Sequence, residues 1–247
     1  MTRRRTFALV PTLLFLASLP AAAQIPDKFE NLKILPKETT KAEIVPMMRG
    51  FASALGVRCN HCHVGPDNLR GMNFATDEKP EKVAAREMMK MVAKINNDFL
   101  ANVKTSRATR VTVECATCHH GVAVPQRIES ILLDAAKSDG VAAAKSRYLE
   151  LKEKYAGRAA YDFGFPPLVQ VAEDLESAEK VADAAVMADF AVEQFPTEAW
   201  PRLAAADLHA KLGEKEAAIA GVRKVLEMDP ENGMAKRMLE KLQTPTE

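Results

Sequence analysis

The stretch MRGFASALGVRCNHCH, from Met48 to His63, decides how this chain is read. It closes on Cys59-Asn60-His61-Cys62-His63, two thiols separated by two residues and followed at once by an imidazole. Thiols so placed add to the two vinyl groups of one porphyrin, and the histidine after them falls beneath the iron; C-x-x-C-H is the attachment signature of a c-type haem. The pattern recurs at Cys115-Ala116-Thr117-Cys118-His119, and the two motifs use all four cysteines of the 247 residues. A zinc site built from two C-x-x-C pairs would leave the histidine after each pair unexplained. The spacing predicts two covalent c-type haems, attached at Cys59, Cys62, Cys115 and Cys118, with His63 and His119 as iron ligands. Thiols consumed in this way leave none for disulfides.

Haem c is attached outside the cytoplasm, and the N-terminus has the form of an export signal. Arg3, Arg4 and Arg5 form a positive region, Phe7 to Leu19 a short apolar run, and Ala21-Ala22-Ala23 a cleavage site of small residues. The expectation is a signal peptide over 1–23, cleaved after Ala23, and a periplasmic mature chain. The apolar run is too short for a stable membrane span, and no cysteine follows it to carry a lipid. Charge divides the remainder. Residues 24–128 hold 16 Lys/Arg against 11 Asp/Glu, and residues 129–247 hold 15 against 22. The half bearing the motifs is basic and the tail acidic. No basic stripe with interleaved aromatics suggests nucleic acid. The expected organisation is a dihaem domain over 24–128 and a second helical domain over 129–247.

Outward from the first motif, Pro26 and Pro36 mark an extended lead-in. Thr40 with Glu43 fits a capping box. Ile44, Met48, Phe51 and Leu55 then recur on one helical face, with Pro46 either kinking the helix or starting it. Leu55-Gly56-Val57 turns the chain back beside that helix. Met48, near its middle, is thereby the candidate for the far side of the iron held by His63; Met47 points about 100° away. His61 lies inside the binding loop and reads as solvated. Gly65 to Thr76 reads as a loop. Pro80 opens a helix to about Val103, with a stripe of Ala84, Met88, Met91 or Val92, Ile95 and Phe99. Met88 is central on it, with Met89 and Met91 as neighbours. Lys104 to Glu114 reads as a polar loop with a short strand at Val111 and Val113. Lys104, Arg107 and Arg110 read as solvated, or as pairing with propionates or with a partner. His120 cannot share an iron with adjacent His119 and is expected to face solvent or a propionate.

Three segments, MMRGFASALGVRCNHCH, KVAAREMMKMVAKINNDF and VTVECATCHHG, resemble the cytochrome c subunit of photosynthetic reaction centres in content and in order, over about Asn31 to Pro125. In that family each haem is held by a helix–turn–C-x-x-C-H unit, with a methionine of the helix as the usual sixth ligand. The resemblance implies that Met48 pairs with His63, and Met88 with His119. The family's subunit has four haems in two such pairs, whereas this chain has one pair. Asn102 stands at the place of a histidine that, in the family, reaches across to another haem.

From Glu129 onward the sequence is alanine-rich, acidic and patterned as short amphipathic helices, interrupted at Gly164 to Pro167. A 34-residue period relates Phe195-Pro196 to Asp229-Pro230, Ala184 to Ala218 and Val192 to Leu226, with Leu212-Gly213 at a turn. This resembles tetratricopeptide repeats, whose stacked hairpins build one continuous core and present a concave face to a peptide or protein. Trp200 is expected in the core of this stack and His209 on its surface.

The fold class expected is all-α. An iron with two protein ligands has no open position for substrate, and His/Met ligation raises its potential relative to two nitrogens. The sequence thus points to a periplasmic dihaem electron carrier, not an enzyme, serving redox protein partners with a tail for docking. The alternatives are a peroxidase-like haem enzyme, or a haem sensor or assembly factor with one labile sixth ligand.

Overall fold

The computed structural model describes residues 25–66, 69, 71–104 and 111–244. The expected signal segment, Arg107 and Arg110 lie outside the described residues. Those described are helical, with no strand and a single bridged pair, Val64 and Asn73, so the class is all-α. Val111 and Val113, expected as a short strand, lie outside any strand. Among the described residues no helix is long and apolar enough to cross a membrane.

The chain forms two compact units: Met1–Arg49 with Arg58–Ala108, and Gly50–Val57 with Thr109–Glu247. In the first, α1 (Lys41–Leu55) begins after Thr40 and passes into the second unit at Gly50. Half of the expected capping box forms: the Thr40 N–H donates to Glu43 Oε2 at 2.8 Å. The Thr40 hydroxyl donates to that same oxygen at 2.8 Å rather than serving a helix N–H. Pro46 lies inside α1 without ending it, at the loss of the one backbone hydrogen bond its ring nitrogen cannot make. A short 3₁₀ turn covers Cys59–His61. Beyond the loop, Pro80 occupies the first turn of α2 (Pro80–Lys94), where its fixed φ fits and no N–H is needed. The expected helix to Val103 changes pitch: Ile95–Phe99 is a π turn and Leu100–Asn102 a 3₁₀ turn. The wider π turn moves Phe99 off the line of Ala84 and Met88.

One ion cluster closes this unit. Asp77 takes Arg86 Nη1 at 2.9 Å, Lys33 Nζ at 2.6 Å and the Asn31 amide at 2.7 Å, and Arg86 Nη2 donates to the Asn31 carbonyl at 3.2 Å. The lead-in strand of chain is thereby tied to α2. The hydrogen bonds from Arg86 and Lys33 hold the Asp77 carboxyl well below its ordinary range.

The second unit carries α3 (Cys115–His119), α4 (Ile128–Asp139), α5 (Val141–Tyr155), α6 (Phe165–Ser177), α7 (Val181–Gln194), α8 (Ala199–Lys211), α9 (Lys215–Met228) and α10 (Gly233–Gln243). Gly164 to Pro167, read as an interruption, is the start of α6, with prolines in its first turn. Leu132, Tyr148, Leu168, Leu175 and Met187 are fully buried, and the Tyr148 hydroxyl donates to the Phe163 carbonyl at 2.7 Å. A second apolar cluster joins Leu203, Val222, Val225 and Ala235 of α8, α9 and α10. The starts of α6, α8 and α10 fall 34 residues apart, as do those of α7 and α9. Gly213, at φ 79°, makes the turn expected at Leu212-Gly213.

Two expectations in this tail are corrected. Trp200 is 46% exposed, because the second position of α8 faces outward beside Met234 rather than into the core. His209 is not a free surface residue: Nδ1 meets Glu214 at 2.5 Å and Nε2 meets Asp189 at 3.1 Å, stapling α7 and α8 to the residue before α9. Partial burial pulls the His209 pKa down, but the hydrogen bonds to Glu214 and Asp189 outweigh it and hold it above the ordinary value.

The end of α1 belongs to this unit and meets the turn after α3. The Gly121 N–H donates to the Ala54 carbonyl at 2.9 Å. Gly56, at φ 65°, lies so close that a Cβ there would stand 2.0 Å from the Gly121 oxygen. Only glycine combines that φ with that approach. Gly56→Ala is expected to destabilise the protein by about 2–4 kcal/mol, from left-handed strain plus overpacking. Gly121→Ala, at φ 84° with open space around it, should cost about 1 kcal/mol; denaturant unfolding of both variants checks the order. For His209 the folded pKa is raised, so its stabilisation is fully present below the unfolded value near 6.5 and is lost as pH rises through the folded value. His209→Asn should cost about 0.5–1 kcal/mol at pH ~5.5 and little at pH ~8.5, as thermal melts at the two pH values would measure.

Candidate haem-binding site

The first motif leaves α1 through Gly56 and enters its 3₁₀ turn from an extended Arg58. Cys59 is exposed and Cys62 half-buried. Burial, with the Glu81 carboxylate next, pushes the Cys62 thiol pKa up. His63 is half-buried, its ring meeting Phe74 edge-on with centroids 5.0 Å apart. Burial, then Lys82 and Arg86, push its pKa down to about 4. The imidazole is therefore neutral near pH 7, the form that ligates iron. Among the described residues its Nδ1 is buried with no hydrogen-bond partner.

The loop after His63 is pinched shut over this ring. The Asn73 N–H donates to the Val64 carbonyl at 2.7 Å. Gly65, at φ 139°, has no room for a Cβ, which would meet Met72 Cα at 2.8 Å. The Asn73 side chain accepts the N–H groups of Ala75 and Thr76, each at 3.0 Å. Lys82 is only 9% exposed, and its ammonium donates to the carbonyls of Phe74 and Thr76, each at 2.7 Å. This buried lysine is a residue that the sequence reading missed. A charged side chain on an apolar-patterned helix reads as surface until its carbonyl partners are known.

The second motif is built differently. Glu114 and Thr117 form a reciprocal capping box, the Glu114 N–H donating to Thr117 Oγ1 at 3.0 Å, so Cys115–His119 folds as a single α turn. His120 takes the left-handed conformation at φ 47° and Gly121 follows at φ 84°, which ends the turn. His119 Nδ1 lies 2.9 Å from the Val122 carbonyl. A carbonyl only accepts, so Nδ1 donates, and Nε2 is the nitrogen that remains for a metal, the usual arrangement of a metal-binding histidine. Cys115 is half-buried and Cys118 exposed; burial first pushes the Cys115 thiol pKa up. His120 is exposed.

Of the expected methionines, Met48 is half-buried and lies in the same unit as His63. Met88 is 41% exposed and Met91 45% exposed on α2; Met88 belongs to the first unit and His119 to the second. Met47 and Met89 are half-buried. Phe99, beyond the π turn, is 61% exposed. The apolar stripe of α2 thus presents a wide greasy face, the kind of surface a porphyrin covers. Asn102 donates its amide to the Asp98 carbonyl at 2.6 Å and is spent on closing its own helix end. The donor set fits haem: four unpaired thiols in two C-x-x-C pairs, an imidazole directly after each pair, and an exposed apolar helix face rich in thioether sulfur.

Comparison with known proteins agrees with that chemistry. Residues 17–152 match the family described as photosynthetic reaction centre cytochrome C subunit. A cytochrome c-554 of Chloroflexus aurantiacus is 38% identical over 91 residues, 36% of this chain and 20% of that protein. The photosynthetic reaction center cytochrome c subunit of Rubrivivax gelatinosus is 34% identical over 111 residues, 44% of this chain and 26% of that protein. The corresponding subunit of Thermochromatium tepidum is 31% identical over 115 residues, again 44% and 26%. This chain therefore matches a fifth to a quarter of the length of these relatives. The matched family region takes in both motifs, α1, α2 and the start of the tail. The chain belongs to the photosynthetic reaction centre cytochrome c subunit family, a family of c-type, haem-binding cytochromes.

Proposed function

We propose that this chain is a periplasmic dihaem cytochrome that passes electrons between redox protein partners, without catalysing a reaction of its own. The observation that carries this reading is a histidine directly after each pair of unpaired cysteines, His63 kept neutral by burial and His119 oriented through Nδ1 by the Val122 carbonyl. Cys59 and Cys62 would hold one haem and Cys115 and Cys118 the other. His63 and His119 would ligate the irons, with Met48 and Met88 supplying the sulfur ligands that the family resemblance implies. The haems, when bound, supply reversible one-electron Fe(III)/Fe(II) chemistry. The polypeptide's part would be to hold the two imidazoles, to cover the porphyrins with the apolar faces of α1 and α2, and to supply the methionine sulfurs that keep substrate out. Export follows from the need to attach haem c outside the cytoplasm and from the form of residues 1–23.

The tail is proposed as a tetratricopeptide-like stack that docks a partner. The regular 34-residue offset of its helices supports this. So does a groove of about 250 Å³ along α6, α8 and α10, floored by Leu203, Met238 and the exposed Trp200 and Met234. A second reading, a haem enzyme or sensor with one labile sixth ligand, is favoured only by the exposure of Met88.

Carbon monoxide titration of the reduced holoprotein, with haem counted per chain, separates these readings. Two haems and no binding are expected; ready binding at one iron would replace the carrier with an enzyme or sensor. Met48→Ala and Met88→Ala should each leave both haems attached and convert one iron to a CO-binding form. If neither variant alters an iron spectrum, the methionine assignments fail.

A further inference from the structure

We propose that Phe74, with its backbone fixed by Lys82, positions the His63 imidazole and shields Nδ1, making the haem at His63 the more oxidising of the two. The proposal rests on the ligand reading above and concerns how the two proximal histidines differ. His119 is held through its Nδ1–H by the Val122 carbonyl at 2.9 Å. His63 has no such bond among the described residues; its Nδ1 is buried and unpartnered. What restrains that ring is the edge-on contact with Phe74, at 5.0 Å and 66° between planes.

Phe74 is itself held firmly. It lies inside the turn that the Asn73 side chain makes with the N–H groups of Ala75 and Thr76. Lys82, buried at 9% exposure, donates to the Phe74 carbonyl and to that of Thr76. Asn73 is bonded in turn to Val64, the residue after the ligand. A lysine buried to hold two loop carbonyls gives Phe74 one place, and that place is against the imidazole.

The consequence is electronic. A hydrogen bond from Nδ1–H to a carbonyl raises the basicity of the ligating nitrogen and favours the oxidised iron. His119 has that bond and His63 lacks it, so the iron at His63 is relatively easier to reduce. Charge acts in the same direction: Lys33, Lys82 and Arg86 gather around the single carboxylate Asp77, and neighbouring positive charge favours the reduced state. Glu81, with a buried Oε2 that has no partner among the described residues, opposes this. Its charge acts on the Cys62 thiol, adding to the effect of burial in raising that pKa.

The test is an optical redox titration of the holoprotein, with haem counted per chain and low-temperature EPR of the oxidised form. Two resolved transitions are expected. Phe74→Leu, which opens Nδ1 to water, should lower the upper transition, narrow the gap and move one low-spin EPR signal, leaving the lower transition in place. Phe74→Tyr, which keeps the ring, should preserve both transitions, and Arg86→Gln should lower the same upper one. A Phe74→Leu protein with two haems that shifts the lower transition, both equally or neither overturns the proposal, as would an Arg86→Gln protein that shifts only the lower. Wild-type protein with two haems but one iron open to carbon monoxide defeats the six-coordinate reading alone, since the upper transition still reports Phe74. Wild-type protein without covalent haem defeats both.

Discussion

The contact between Gly56 and Gly121 is the constraint on which the haem-binding half depends. Gly56, in the left-handed conformation at φ 65°, ends α1 and leads into the first C-x-x-C-H segment. The turn leaves so little room that the Gly121 oxygen occupies the place of a missing Cβ. The Gly121 N–H then closes on the Ala54 carbonyl, satisfying a helix-end acceptor that would otherwise need water. Gly121 is in turn the residue that ends the second motif, after His120 has taken the left-handed conformation. The exit of the helix before the first motif and the exit of the second motif are thus one local structure.

Much of this was legible. Two complete C-x-x-C-H motifs single out the proposed attachment residues without any fold. The turn at Gly56, the proline start of α2 and the 34-residue spacing in the tail follow from the chemistry of glycine, proline and small residues. Four features were not. The π turn at Ile95–Phe99 and the exposure of Trp200 depend on what neighbouring helices cover, which periodicity does not encode. His209 reads as surface because its carboxylate partners, Asp189 and Glu214, are distributed over the chain on either side of it. Lys82 is the clearest case. Its sequence neighbours suggest a solvated helix face, yet it is buried by a loop that arrives from eight residues earlier and offers it two carbonyls.

The two motifs reach the same ligand chemistry by unlike means, and the difference is traceable to single residues. In the second, Glu114 and Thr117 cap each other, so five residues close as an α turn and His119 is aimed by a backbone carbonyl. In the first, Arg58 and His61 occupy the corresponding positions and form no such box. The turn is 3₁₀, and orientation of His63 passes to side chains brought from the loop beyond it. Identical motifs are therefore not identical sites.

The two units are also stabilised differently, and the cause lies in what each has available to bury. The tail contains two extended apolar clusters, with Tyr148, Leu168, Val171 and Val222 removed from water. Among the described residues of the first unit, Ile44 is the one apolar side chain below a tenth exposure, and it is matched by a buried cation, Lys82. A unit of that size with so little apolar core falls short of what hydrophobic burial must supply against chain entropy. Part of the deficit is met by the Asp77 cluster, which ties the lead-in to α2. The remainder falls to the exposed faces of Met88, Met91 and Phe99, which bury apolar area only against a large flat partner. In a c-type cytochrome such a partner is covalently attached, and a porphyrin bound there would serve this unit as core as well as redox centre.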